Sequence, residues 1–96
     1  PYVFTWQGVL NVGELKLTCD KKEDWNGAWF MPTVADRQPS GETEPMLFLD
    51  KASDAFKAQY PDVMIGGIDL KWKITTAGSY KITLNQLEET ISIVKQ

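Results

Sequence analysis

Ile68-Asp69-Leu70-Lys71-Trp72-Lys73-Ile74-Thr75 alternates without a break, with Ile68, Leu70, Trp72 and Ile74 on one face and Asp69, Lys71, Lys73 and Thr75 on the other. A side-chain period of two belongs to an extended strand rather than a helix, and this one reads as a strand with one face on a core and the other in water. Towards the carboxyl end, Thr76-Ala77-Gly78-Ser79 is a hairpin loop into Tyr80-Lys81-Ile82-Thr83-Leu84. The Asn85 to Glu89 turn then leads to Thr90-Ile91-Ser92-Ile93-Val94, so three strands follow one another with short turns.

Towards the amino end, Gly66-Gly67 breaks the chain after Val63-Met64-Ile65, and Ser53 to Tyr60 is the one helical passage. There Ser53 can cap the first turn, Phe56 and Tyr60 share a face, and Pro61 follows the end, giving one or two turns within a connection. Met46-Leu47-Phe48-Leu49 is apolar on both sides, as a buried strand is. Residues 32 to 45 form a polar loop containing Asp36-Arg37 and Gln38-Pro39-Ser40-Gly41-Glu42. Ala28-Trp29-Phe30-Met31 is a short strand stopped by Pro32, which cannot donate to a ladder. Glu14 to Cys19 alternates Leu15, Leu17 and Cys19 against Glu14, Lys16 and Thr18, placing Lys16 at the centre of an outward face. Tyr2 to Gln7 puts Tyr2, Phe4 and Trp6 on one face of a first strand. Short antiparallel strands separated by turns, about seven in all, predict an all-β antiparallel β-sandwich of the immunoglobulin-like kind with one short helix.

The 96 residues suffice for one domain with a core of its own. Hydrophobic residues at 43% and charged residues at 24% are ordinary for a globular chain. A net charge of −3 without any basic cluster argues against nucleic acid, whose phosphates call for a lysine and arginine stripe. The single cysteine, Cys19, leaves no internal disulfide, and without histidine the usual metal and nucleophilic constellations cannot be assembled, so neither cofactor nor metal is expected. No run approaches the roughly 20 apolar residues that span a bilayer. Pro1 opening almost directly onto a strand reads as a module taken from a longer protein.

Cleavage of glycosidic bonds would need two carboxylates across a cleft, and Glu14, Asp20, Glu23, Asp24 and Asp36 are available, but nothing in the sequence pairs any two of them. Asp20 and Asp24 lack the acidic spacing and the glycine of a calcium loop. The aromatics carry more. Trp72 alternates in phase with Leu70 and Ile74, and Trp6 with Phe4, so both read as core. Trp25-Asn26-Gly27-Ala28-Trp29 instead follows the charged run Asp20-Lys21-Lys22-Glu23-Asp24, which makes Trp25 the best candidate for an exposed indole. Trp29 is open: Phe30 takes the core-facing position and leaves Trp29 outward, or the reverse. A sugar ring offers an apolar C–H face that stacks on indole, while its hydroxyls need planar donors and acceptors. Trp25 and Trp29 with Lys16 and Arg37 nearby meet those needs. The alternative is a structural or protein-interaction module whose tryptophans are largely buried.

Tyr2-Val3-Phe4-Thr5-Trp6-Gln7-Gly8, Gly13-Glu14-Leu15-Lys16-Leu17, Trp25 to Pro32, Asp69-Leu70-Lys71-Trp72-Lys73-Ile74 and Ala77 to Leu84 resemble, in that order, blocks of the SusE/SusF family of outer-membrane starch-binding lipoproteins. The resemblance implies one starch-binding-module-like sandwich over residues 1–96, non-catalytic, holding an α-glucan on the extracellular face of the bacterial outer membrane beside other components of a glycan-uptake complex. It implies that Lys16 matches a lysine of the family's Gly-Glu-aromatic-Lys strand, that Trp25 or Trp29 matches a platform ring, and that Arg37 matches a ligand-binding arginine. Two departures stand out. The family's leading strand with its Gly-Asp-Ala-Thr is absent, and residues 38–67 are expanded. The first leaves one platform ring missing or supplied differently, and the second reshapes or covers the site; the alternative remains a spacer or docking domain of the uptake complex with no ligand of its own.

Overall fold

Strand-forming alternation governs the chain in a computed structural model that describes residues 2–18, 28–50, 54–59, 61 and 69–96. Among those residues the order is β1 (Val3–Leu10), β2 (Gly13–Leu15), β3 (Leu17–Thr18), β4 (Ala28–Met31), β5 (Glu44–Pro45), β6 (Leu47–Asp50), α1 (Asp54–Gln59), β7 (Trp72–Ile74), β8 (Gly78–Asn85) and β9 (Thr90–Lys95). Every strand ladder is antiparallel. One sheet has the order β1-β8-β9-β5, a second pairs β2 with β7, and a third runs β3-β4-β6. The fold is all-β and sandwich-like with little helix, as the alternating segments imply.

β8 is the spine of the four-stranded sheet. Its register sets Phe4 opposite Leu84 and Trp6 opposite Ile82 on β1, and Leu84 opposite Ile91 and Ile82 opposite Ile93 on β9. A period of two then sends Tyr80, Ile82, Leu84, Ile91 and Ile93 to one face, where all are buried. They pack against Phe30, Trp72 and Ile74, with Leu15, Leu17 and Phe48 at the margin. The core is therefore the space between the four-stranded sheet and the two smaller ladders. Phe30 and Phe48, opposite one another on β4 and β6, set their rings 4.9 Å apart. Trp72 is completely buried, as its alternation predicts.

The segment expected as one strand from Glu14 to Cys19 is interrupted at Lys16. Its first half pairs with β7 and its second half with β4, so the chain changes partner between Leu15 and Leu17 while both leucines still face the core. The two small ladders adjoin at that point. The polar loop after Pro32 also contributes more than connection: Glu44–Pro45 adds to β9, and Arg37 bridges to Trp72 with its carbonyl accepting the Lys73 N–H at 2.9 Å. The helix matches the expected passage, while the proposed cap Ser53, Tyr60, the Val63-Met64-Ile65 segment and Ile68 lie outside the described residues.

The core assignment of Trp6 and Phe4 is corrected. Their parity is right, because both point to the side that Ile82 and Leu84 bury, yet Phe4 is 54% and Trp6 45% exposed. Among the described residues the small ladders do not extend over the β1 margin, so these rings face inward and remain about half exposed.

Candidate functional site

Of the four residues expected to converge on a ligand, Lys16, Trp29 and Arg37 are among the described residues, and Arg37 keeps different company from the other two. Lys16 and Trp29 come together. Leu15 and Leu17 face the core, so Lys16 between them faces outward, onto the same side as Trp29. The Lys16 ammonium sits 4.2 Å from the centre of the Trp29 ring, a cation–π contact, and donates to Asp69 Oδ1. Its side chain is only 5% exposed. Lys16 as an accessible donor to sugar hydroxyls is therefore corrected: facing away from the core is not the same as facing water when an indole and a carboxylate lie alongside.

Asp69 also takes Lys71 at 3.1 Å, and Lys71 reaches Glu14 at 3.0 Å, so two lysines and two carboxylates neutralise one another. Burial works to raise the Asp69 carboxyl, but the hydrogen bonds and charges of Lys16 and Lys71 outweigh it and hold that carboxyl below its usual range. Glu14, one of the carboxylates considered for acid–base chemistry, belongs to this ion cluster. Trp29 is half-buried beneath it.

Arg37 belongs to a different place. It shares a bridge with Trp72, whose side chain is on the core side, whereas Lys16, between β2 and β3, faces away from the core. Its guanidinium lies 3.5 Å from Glu44 Oε2. Glu44 is a buried carboxylate that sequence reading passed over as one more acid in a polar loop. Its Oε1 accepts the Trp72 indole N–H at 3.1 Å, and its Oε2 accepts the Ser40 amide at 3.0 Å. Burial alone would raise the Glu44 carboxyl, but the bonds from Ser40, Trp72 and Arg37 overcome it and keep the group below the ordinary glutamate value. Arg37 is thus half committed to holding a loop. Trp25, with Asp20, Glu23 and Asp24, lies outside the described residues.

What the structure exposes instead is β1. Tyr2, just ahead of β1, and Phe4 and Trp6 on it are 52%, 54% and 45% exposed, with alternate backbone positions about 7 Å apart along the strand. The Trp6 indole folds back over Gly8: a β-carbon there would stand 2.4 Å from Cζ2 of the ring, so only glycine leaves the indole its seat. Beside the row a cleft of about 630 Å³ opens between the sheets, lined by Phe4, Trp6, Leu10, Leu15, Leu17, Phe30, Ile82 and Leu84, with Thr5, Thr18 and Gln86 as its polar groups. Most small-molecule sites share that composition, an apolar concavity with a few polar atoms. No strand is paired to the outer edge of β1 among the described residues.

Alternation hid this site, because it reports which way a side chain points and not whether a second layer covers it. One signal was present. Residues 2–10 carry no charge on either face, whereas Ile68 to Thr75 and Tyr80 to Leu84 set lysines against their apolar sides.

Among the described residues no group of three or more cysteine, aspartate or glutamate side chains is placed to hold a metal ion, and no helix is long and apolar enough to cross a membrane. No family model, curated protein or solved structure matches the chain.

Proposed function

We propose that the chain is a non-catalytic β-sandwich module that binds a glycan, and that Phe4 and Trp6 on β1, with Tyr2 just ahead of it, form its stacking surface. The observation that carries this reading is the pair of half-exposed rings, Phe4 and Trp6, on one face of a strand at an open cleft, with exposed Tyr2 just ahead of them. Pyranose rings stack on such surfaces through their C–H faces, and a strand holds the rings in place at little entropic cost on binding. Thr5, Thr18 and Gln86 supply hydroxyl and amide partners at the same cleft. Starch or a related α-glucan is the ligand class that the SusE/SusF resemblance supports, and the same resemblance supports placement on the outer face of the outer membrane among glycan-uptake components. Trp25 retains its proposed place in the platform on sequence grounds alone. Trp29 contributes the surface that Lys16 leaves uncovered, and Arg37 contributes whatever hydrogen-bonding capacity Glu44 does not use.

Each stacked ring is worth on the order of 1 kcal/mol, so binding is weak and gains from several linked modules. Affinity electrophoresis through gels containing starch tests the reading, with Phe4→Ala/Trp6→Ala run beside the parent. Retardation of the parent and its loss in the double variant are expected; free migration of the parent in starch and in a panel of other glycans sinks the proposal.

One observation favours a second reading, that of a protein-interaction module. The eight residues of β1 form an edge strand whose outer margin is unpaired among the described residues, and such margins accept an added strand. Under that reading a partner hydrogen-bonds along β1 and fills the cleft with its own alternate side chains. Protection of the β1 amides from exchange by a partner polypeptide, with no response to glycans, is its signature.

A further inference from the structure

A second concavity of about 190 Å³ lies between the Gln38–Gly41 loop and the ends of β7, β8 and β9, and it shares no lining residue with the apolar cleft. Its lining is cationic and polar: Lys73 and Lys95 with Gln38, Ser40, Thr75 and Tyr80, and no acidic side chain among them. In a chain with 13 acidic and 10 basic residues, that segregation is unexpected on composition alone.

Two features place the lysines there. Lys95 is opposite Tyr80 in the ladder and in phase with Ile91 and Ile93, a position where an apolar side chain would continue the core. Its stem lies flat across Gly78, where a β-carbon would come within 2.9 Å of Cε, and the ammonium is carried to the rim. Lys73 is opposite Glu14 in its ladder, but the Glu14 carboxylate is turned to Lys71 at 3.0 Å. Among the described residues neither Lys73 nor Lys95 has an ion-pair partner. The facing wall is fixed in advance: the Ser40 amide is held by Glu44, the Ser40 hydroxyl bonds Glu42 on either side of its turn, and Gly41 adopts the left-handed conformation at φ 81°.

We propose that this concavity is a separate binding site for a small oxyanion, a carboxylate or sulfate group free or carried on one sugar ring. Two ammonium groups supply the charge, as point donors that tolerate either oxyanion geometry, and the Gln38 amide and Thr75 hydroxyl take the remaining oxygens, the Ser40 and Tyr80 donors being held by Glu44, Glu42 and Thr76. The volume falls below that of sites for drug-sized ligands, so the site reads one charged substituent and not an extended chain. It stands independently of glycan stacking on β1, since the two concavities have no lining residue in common.

The test is a titration of the whole isotope-labelled chain by ¹H–¹⁵N correlation spectra with sodium glucuronate, sodium sulfate and glucose, all at one ionic strength. Saturable shifts at the amides of Ser40, Gly41, Lys73 and Lys95 are expected with glucuronate and sulfate but not with glucose. Glucuronate saturating at lower concentration assigns the group to a sugar carrier, and equal saturation assigns a free oxyanion; both support the site. Lys73→Met/Lys95→Met keeps the apolar stems and is expected to weaken the response at least fivefold, while Lys81→Met, an exposed lysine outside the concavity, leaves it unchanged. Shifts that never saturate, an equal response to glucose, or a double variant that titrates like the parent overturns the proposal.

Discussion

Gly8 decides how the Trp6 indole is displayed, because the ring occupies the space that any β-carbon at residue 8 would need. Gly8→Ala is therefore expected to displace the ring without straining the backbone, moving the Trp6 indole N–H resonance while the melting temperature stays within about 5 °C. A large loss of stability would show that the ring is wedged rather than seated. Glu44 is the opposite kind of residue, one whose removal is felt by the fold. Glu44→Gln replaces an acceptor of three bonds by an amide that must turn a donor towards Trp72, Ser40 or Arg37, and about 1–3 kcal/mol of stability is expected to disappear in urea titration. The exposed Glu42→Gln is expected to change stability by less than about 0.5 kcal/mol. Residue by residue, orientation was legible and environment was not. Lys16 does face away from the core and Trp72 does face into it, but the covering of Lys16 by Trp29 and Asp69 depends on segments distant in sequence.

At the scale of elements, the alternating and turn chemistry fixes where strands run. β8 and β9 match their expected segments to within a residue or two, because apolar and polar side chains alternate cleanly and the Asn85 to Glu89 turn closes on itself through the Asn85 side chain accepting the Glu88 amide at 3.0 Å. Partner exchange at Lys16 was not legible, since the pattern of Leu15 and Leu17 is the same whether one partner or two lies alongside. Nor was the open edge of β1. Edge strands are ordinarily blunted by charge, proline or a bulge, and β1 has neither charged residue nor proline. Val9→Lys, at an exposed position of β1 outside the cleft, is expected to reduce concentration-dependent association measured by analytical ultracentrifugation, while leaving any retention by glycans as in the parent. If association is unaffected by the substitution, the edge is not what brings molecules together.

For the whole molecule, two carboxylates held below their ordinary values tie stability to pH. Glu44 and Asp69, ordinarily 4.5 and 3.8, release protons more readily folded than unfolded, so their contribution is complete above those values and is lost as pH falls through the depressed folded ones. The urea midpoint is expected to be level near neutrality and to fall as the pH drops below about 4.5, with a shallower acid slope in Glu44→Gln; an unchanged slope would mean that Glu44 does not carry the acid dependence. The overall class was legible because strand alternation, turns and short spacing all agree. The proposed binding surface was legible only as a type, aromatic rings beside polar groups, and β1 joins the Trp25–Trp29 turn as its proposed position because the exposure of Phe4 and Trp6 is set by how far the opposing sheet extends. The most direct measurement of that position is a titration of the isotope-labelled chain with a malto-oligosaccharide, followed through the indole and backbone resonances of every tryptophan. Shifts centred on Phe4, Trp6 and Gly8, and a roughly 30-fold weaker response in Phe4→Ala/Trp6→Ala, are predicted from about 1 kcal/mol per stacked ring. Shifts centred on Trp25 or Trp29 with β1 silent, or a double variant that titrates like the parent, would contradict it.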